Sequence, residues 1–287
     1  MPNRINYLKK KANWVRRQIL EMSVRAGSGH VTSSFSCAEL LVALYYGGIL
    51  RFNPKNPKWK DRDRFILSKG QSGIALYPVL ANLGFFPVSK LYKFTQENSF
   101  LGVHAESNVP GIEAVTGSLG HGLGLAVGLT LSARMDKKDY LIVTMLGDAE
   151  CYEGSVWEAA MFAGHHELNN LIAIIDRNGM GVLDFTESSL HLDPLEEKWR
   201  SFGWDAITID GHSFEQIFSA VEDIRVRKSK RPYIIIARTI KGKGVSFMEN
   251  KLLWHYRVPS GREIELARKE LVQNDGKIFR THKERAR

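Results

Sequence analysis

The chain has 287 residues, 44% of them hydrophobic and 25% charged, ordinary figures for a soluble globular protein with one large α/β domain or two modest ones. Its two cysteines, Cys37 and Cys151, have no CxxC spacing, which argues against a disulfide framework or structural zinc and fits a reducing cytoplasm. The net charge of +9 sits at the two ends: residues 1–27 hold seven Lys/Arg against one Glu, and residues 262–287 hold eight against five acids. No RNP-type, helix-turn-helix or zinc-finger pattern accompanies it, so the excess reads as solvated helix faces and not as a nucleic-acid site.

The N-terminal MPNRINYLKKK is basic but has no apolar stretch behind it, so no secretory signal is expected. Ser28-Gly29-His30 precedes a helix, and Ser36-x-x-Glu39 reads as a capping box opening an apolar-periodic segment. The longest apolar run, 40–50, contains two glycines and is too short for a bilayer, so it is expected as a core helix in a chain without a membrane span. Apolar runs at 65–68, 140–146, 171–176, 206–209 and 233–238, rich in Ile, Val and Leu, read as strands. Such runs mean burial on both faces, as in a parallel β-sheet sandwiched by helices, and predict an α/β fold. Between the first two strands lie His104, in the loop 102–106, and the glycine-dense run 117–124, which opens a helix over 123–134. Glycines at that density let backbone approach a ligand closely, although a tight turn packed on a sheet has the same composition. Further capping boxes stand at Ser155-x-x-Glu158 and Ser213-x-x-Gln216. Past the last strand, Lys241 lies where a cation can reach a phosphate, and Trp254-His255 follows. Composition shifts at Arg262, after Pro259-Ser260-Gly261. The expected organisation is one domain over 1–261 and a polar helix and tail over 262–287.

The most informative stretch is 141–180. Here an apolar strand ends in Gly147-Asp148, a turn and helix follow, and a second apolar strand ends before Asn178. Asp148 alone reads equally as a helix-opening acid. Asn178 at matching depth on the next strand changes that reading, because a hard cation carrying a diphosphate wants a carboxylate, an amide oxygen and a carbonyl around it. Such sites form outside the carboxyl ends of the strands, and the helix N-terminus after 147–154 would favour the diphosphate. The loop histidines His30, His104 and His255 are candidate functional groups, since imidazole exchanges protons near neutral pH.

Taken together, these residues resemble the N-terminal, diphosphate-binding half of transketolase, a thiamine diphosphate enzyme. The pieces appear in family order: SGH at 28–30, DRFILSKG at 63–70, GSLGHG at 117–122, GDAECYEG at 147–154, DRN at 176–178, TIKGKG at 239–244 and WH at 254–255. The resemblance implies the thiamine diphosphate-binding fold of the PP-type domain. It also implies a divalent ion, Mg²⁺ or alternatively Ca²⁺ or Mn²⁺, on Asp148, Asn178 and the Met180 carbonyl. Gly117 and Leu119 would lie against the aminopyrimidine, while Ser33, Gln71, Gly147, Ala149, Lys241 and His255 would lie on or near the cofactor. His30, His104 and His255 would face the sugar as hydrogen-bond donors or proton carriers. Glu153 matches the family's buried acid linking the two active sites of a dimer.

Two positions depart from the family pattern. Gln71 stands where the family has His, so that residue is able to donate a hydrogen bond but carries no proton or positive charge. Ala149 stands where the family has Gly. The family's pyrimidine-binding domain, with the glutamate that activates the cofactor, has no counterpart in these 287 residues. The expectation is therefore one subunit of a split, cytoplasmic transketolase, assembled as α2β2 with a second protein that supplies the pyrimidine domain, and acting on sugars or sugar phosphates. The open alternatives are a component of a split 2-oxo-acid decarboxylating enzyme and a non-catalytic, partner-binding paralogue.

Overall fold

The computed structural model describes residues 2–222 and 229–284; residues 285–287 of the expected C-terminal tail lie outside them. Three helices open the chain: α1 (Pro2–Ala26), the six-residue α2 (Val31–Ser36) and α3 (Ala38–Tyr45). Strand β1 (Arg64–Leu67) leads into α4 (Gly73–Leu83), and α5 (Gly122–Met135) into β2 (Ile142–Gly147). Helix α6 (Gly154–His165), β3 (Leu171–Arg177), α7 (Thr186–Ser189) and α8 (Leu195–Ser201) follow. The series closes with β4 (Asp205–Asp210), α9 (Phe214–Glu222), β5 (Tyr233–Arg238) and α10 (Arg262–Glu284).

All strand pairings are parallel, in the order β1-β2-β3-β5-β4. Each expected strand is present, displaced by no more than two residues. Their alternate residues feed two cores, as the two-residue period of a strand requires. Phe65, Val143, Met145, Ile172, Ile174 and Ile235 pack with α1, α3, α4 and α9 on one face. On the other face Ile66, Ile142, Leu146, Ala173, Ile175 and Ile234 pack with α5, α6 and α8. That double covering is why the inner strands read as unbroken apolar runs. β4 at the edge, Asp-Ala-Ile-Thr-Ile-Asp, alternates and is half exposed.

Register then does the functional work. Gly147 pairs with Asp176 and Asp176 with Ala237, so the carboxyl ends of β2, β3 and β5 finish level. Asp148 and Asn178 follow the ends of β2 and β3 directly, and Lys241 is the third residue past β5, so all three share one edge of the sheet. Helix α10 packs along α1: Ala267 and Leu271 are buried in the first core, Asn13 Nδ2 donates to the Leu271 carbonyl at 2.7 Å, and Arg268 pairs with Glu21 at 2.7 Å.

Three local expectations need correction. The expected helix over 40–50 ends at Tyr45, and the chain then turns through Gly47 and Gly48, the latter at φ +72°. Ser36 does not cap α3; it ends α2, and its hydroxyl donates to Asp176 Oδ2 at 2.6 Å. Glu39 is instead buried in a pair with Arg16 (2.5 Å) and His212 (2.9 Å). Ser155 likewise lies inside α6 and donates to the Gly120 carbonyl at 3.0 Å. In both cases a tertiary partner took the hydroxyl that the local pattern offered to the helix. Ser213 does accept from the Gln216 amide at 3.3 Å, but Gln216 Oε1 accepts from the Asp210 N–H, so that box is half formed.

Candidate active site

Asp148 is buried at the end of β2. Its Oδ1 accepts from Ala149 N (2.8 Å) and its Oδ2 from Gly179 N (2.5 Å), with Arg177 Nη1 at 3.3 Å. The Gly179 bond draws the turn after β3 against the end of β2. In that turn Asn178 Oδ1 accepts from Met180 N at 3.3 Å, and its Nδ2 faces Asp176. Burial, reinforced by the charge of Asp176, pushes the Asp148 carboxyl above its ordinary value despite Gly179 and Arg177. A cation at this spot would relieve that penalty. With the Asn178 amide and the Met180 carbonyl beside it, the donor set is all oxygen, which suits Mg²⁺ or Ca²⁺ and not a thiolate-seeking metal.

Lys241 reaches the same place from beyond β5. Its side chain is buried, its Nζ donates to the Met180 carbonyl at 3.2 Å, and it lies 2.9 Å from His255 Nδ1. Burial, with Lys69 nearby, brings its ammonium down to about 8, against the pull of Asp148 and Asp176. An anion arriving here would raise it again and hold the ammonium fully charged, as a diphosphate requires. His255 Nδ1 also lies 2.8 Å from the Gly181 carbonyl, and burial and Lys241 lower His255 to about 4.

His30 faces His255 edge-on, ring centroids 5.8 Å apart. Burial lowers it to about 4, aided by the charges of His255, His104, Lys241 and Lys69. Its Nδ1 is buried without a partner, and so is Gln71 Oε1. Buried polar atoms without a partner are uncommon and point to a missing ligand or water. His104 stands over Gly117, where a β-carbon would lie 3.6 Å from its Cγ. The three histidines and Gly117 thus border one region, and Gly70, next to Gln71, accepts from Ala105 N, next to His104, at 3.3 Å. Leu119 lies half-buried in the glycine-rich loop. The loop is tight: Gly120 has φ +82°, and a side chain there would strike Glu153 Cβ at 2.5 Å.

Ser33 is buried beneath the site, and its carbonyl accepts from Lys69 Nζ (2.9 Å) and Ser72 Oγ (3.1 Å), with Ser36 Oγ 2.9 Å away. Ala149 begins the 3₁₀ turn after Asp148, and a β-carbon at Gly147 would meet Lys69 Cβ at an ordinary contact distance of 3.9 Å. Glu153 is exposed on the single chain, so the expected burial is not supplied by this chain. Of the two glutamates in the turn the buried one is Glu150, which sequence reasoning missed. Its Oε1 accepts from Ser68 Oγ and from Gly120 N (2.9 Å), and its Oε2 from Gly147 N (3.0 Å), so one carboxylate ties the glycine-rich loop to the end of β2.

Lys69 and Asp176 were also missed, although both lie within motifs that drew notice. They form an ion pair closed to water, and Asp176 further accepts from Ser36 and Thr239 hydroxyls. Burial alone would lower Lys69 and raise Asp176; their mutual charge outweighs it, holding Lys69 above and Asp176 below the ordinary values. A strand-to-helix lysine looks solvated in sequence, and only the strand register reveals the acid opposite it.

The family described as "Transketolase, thiamine diphosphate binding domain" matches residues 8–286. Among curated proteins, the chain is 45% identical over 249 residues to the 6-deoxy-6-sulfo-D-fructose transketolase subunit SqwG of Clostridium sp. (strain MSTE9), covering 86% of this chain and 90% of that one. It is 39% identical over 263 residues to a subunit of the apulose-4-phosphate transketolase of Phocaeicola vulgatus, covering 92% and 93%. Among solved structures, transketolase from Campylobacter jejuni superposes with TM-score 0.86 at 31% identity. That match takes in 92% of this chain but 42% of the other, so the chain spans less than half of that longer enzyme.

Proposed function

Since this chain belongs to the transketolase family, we propose that it is the diphosphate- and metal-binding subunit of a two-chain, thiamine diphosphate-dependent transketolase. The enzyme transfers a two-carbon ketol unit from a ketose donor to an aldose acceptor. The observation that carries this reading is the meeting of Asp148, Asn178, the Met180 carbonyl, Lys241 and His255 at one sheet edge. Relatives of nearly the same length that are named as transketolase subunits support the two-chain form and weigh against a 2-oxo-acid decarboxylating component or a scaffold.

In this reading Asp148, Asn178 and the Met180 carbonyl hold Mg²⁺, and Lys241 neutralises diphosphate oxygens. When bound, thiamine diphosphate supplies the nucleophilic carbon that takes up the ketol unit. His30 and His255, both lowered to about 4, are neutral at pH 7, so each presents one ring nitrogen that donates and one that accepts. That is the state needed to take a proton from a sugar hydroxyl and return it to an oxygen of the other sugar. His104 and Gln71 bind hydroxyls at the same wall. Glu153 is exposed on the single chain and becomes buried against a second copy in an α2β2 assembly.

The two relatives are named for sugars carrying a sulfo or a phosphate group, and a sugar with an anionic substituent is the substrate class proposed here. A cytoplasmic location fits the two buried free cysteines. Among the described residues no helix is long and apolar enough to cross a membrane.

The test is to purify the tagged chain from its host with thiamine diphosphate and Mg²⁺ and identify what accompanies it. A stoichiometric second protein and bound cofactor are expected, and Asp148→Ala should weaken Mg²⁺-dependent cofactor binding by at least ~100-fold. A chain that emerges alone and binds no cofactor overturns the proposal, and an Asp148→Ala complex with unchanged affinity overturns the metal site.

A further inference from the structure

One aromatic residue at the mouth of the site has no part in the roles above. Tyr256 follows His255 and is 53% exposed, yet the residues around it are tied down. Trp254 is buried, and its carbonyl accepts from Thr32 Oγ1 at 2.8 Å. Arg257 lies over the Trp254 ring, 4.3 Å from its centroid, and pairs with Glu263 at 2.6 Å. A tyrosine between two anchored neighbours keeps its position without contributing to the core.

Its ring leans on the His30 imidazole, with centroids 4.6 Å apart and planes inclined at 59°. Its hydroxyl lies 3.3 Å from Ser28 Oγ. That is long for a bond between two hydroxyls, and each oxygen can both donate and accept. Such a pair exchanges its mutual contact for a ligand hydroxyl at little cost. On the imidazole that Tyr256 leans against, His30 Nδ1 is itself buried without a partner, one more polar atom able to take a hydroxylated ligand. An aromatic side chain with a polar tip orders at low entropic cost, and its face accepts the C–H edges of a polyol.

The geometry points to a subsite in which Tyr256 and Ser28 receive the hydroxylated tail of the sugar beyond the two transferred carbons, so that Tyr256 governs which sugars are accepted. The inference rests on the ketol-transfer reading and adds a residue to it. The ring covers one side of that tail, and the two hydroxyls bond to sugar hydroxyls. A compound lacking the tail gains nothing from either group.

The test uses the assembled two-chain enzyme with thiamine diphosphate and Mg²⁺, and compares two donors with glycolaldehyde as acceptor. One donor is a five- or six-carbon ketose; the other is hydroxypyruvate, which releases carbon dioxide and has no tail to reach the subsite. Tyr256→Ala should lower the ketose-to-hydroxypyruvate ratio of kcat/KM about tenfold, mainly through the ketose KM, and Tyr256→Phe about threefold, the share of one hydrogen bond. In a second measurement, aromatic protons are irradiated and saturation transfer is read on an alditol with the same number of carbons, which has no carbonyl to react. Signal on the carbon-bound protons of the alditol is expected with the parent complex and should fall at least about threefold with Tyr256→Ala, since contact with the ring is what holds the polyol in the site. A parent complex active on both donors, with a ratio that Tyr256→Ala leaves within twofold or an alditol signal that it leaves intact, overturns the subsite alone. A parent complex inactive on both donors overturns the subsite together with the reading beneath it.

Discussion

Replacing Lys69 with Met keeps the length of the side chain and removes its charge, leaving Asp176 with hydroxyl donors from Ser36 and Thr239 but no counter-ion. Neither partner of the pair is open to water, so solvent cannot take over. Breaking a buried pair on one side costs about 3–5 kcal/mol, most of it the penalty of the charge left behind. Unfolding entropy of about 2 cal/mol/K per residue gives roughly 0.6 kcal/mol per degree for a chain of 287 residues. The thermal midpoint should therefore fall by about 5–8 °C, read by circular dichroism. Adding Asp176→Asn removes the stranded charge, and the double variant should be less destabilised than the sum of the two singles by at least ~1 kcal/mol. A drop below about 2 °C for Lys69→Met, or two singles that simply add, refutes the claim that these groups are ionised together and depend on each other.

Glu150→Gln should cost about 1–3 kcal/mol, because an amide has one oxygen where Glu150 uses two, and either Gly120 or Gly147 then presents its N–H to a donor. Urea unfolding measures the loss, cofactor titration should weaken with it, and a change under ~0.5 kcal/mol contradicts the assigned bonds. For His30, held near 4 in the fold against 6.5 in the unfolded chain, the unfolded state takes up a proton first as pH falls. Stability should drop by up to about 3 kcal/mol between pH 6.5 and 4 on this account and no further below it. His30→Asn should flatten that part of the urea-midpoint profile, leaving the portion due to His255; a profile identical to the parent's removes the argument.

The sheet was legible because strands covered on both faces must be apolar throughout, and runs such as Ile172–Ile175 have no competing reading. Asp148 and Asn178 were legible for a related reason: in parallel register, residues just past successive strands share an edge. Hydroxyls misled. Ser36 and Ser155 carry the pattern of helix caps, but Asp176 and the Gly120 carbonyl claim them. The pattern of spacing also could not say which glutamate of the 147–154 turn points inward. The 3₁₀ geometry of the turn sends Glu150 under the loops and leaves Glu153 at the surface. Tyr256 escaped notice because nothing in Trp-His-Tyr-Arg tells an exposed ring at a site's mouth from one on any other surface; the contact with His30 does.

Strand order has a consequence for the protein during its synthesis. β5 is made last yet sits inside the sheet, between β3 and β4. When β4 leaves the ribosome its partner β5 does not yet exist, and the outer edge of β3 stays bare until residues 233–238 arrive. A bare, strongly apolar strand edge is a template for pairing with foreign chains. The hazardous interval is thus set by translation speed across the segment from Asn178 to Pro232, and slowing the ribosome there should increase aggregation of the nascent protein while leaving the finished one unchanged.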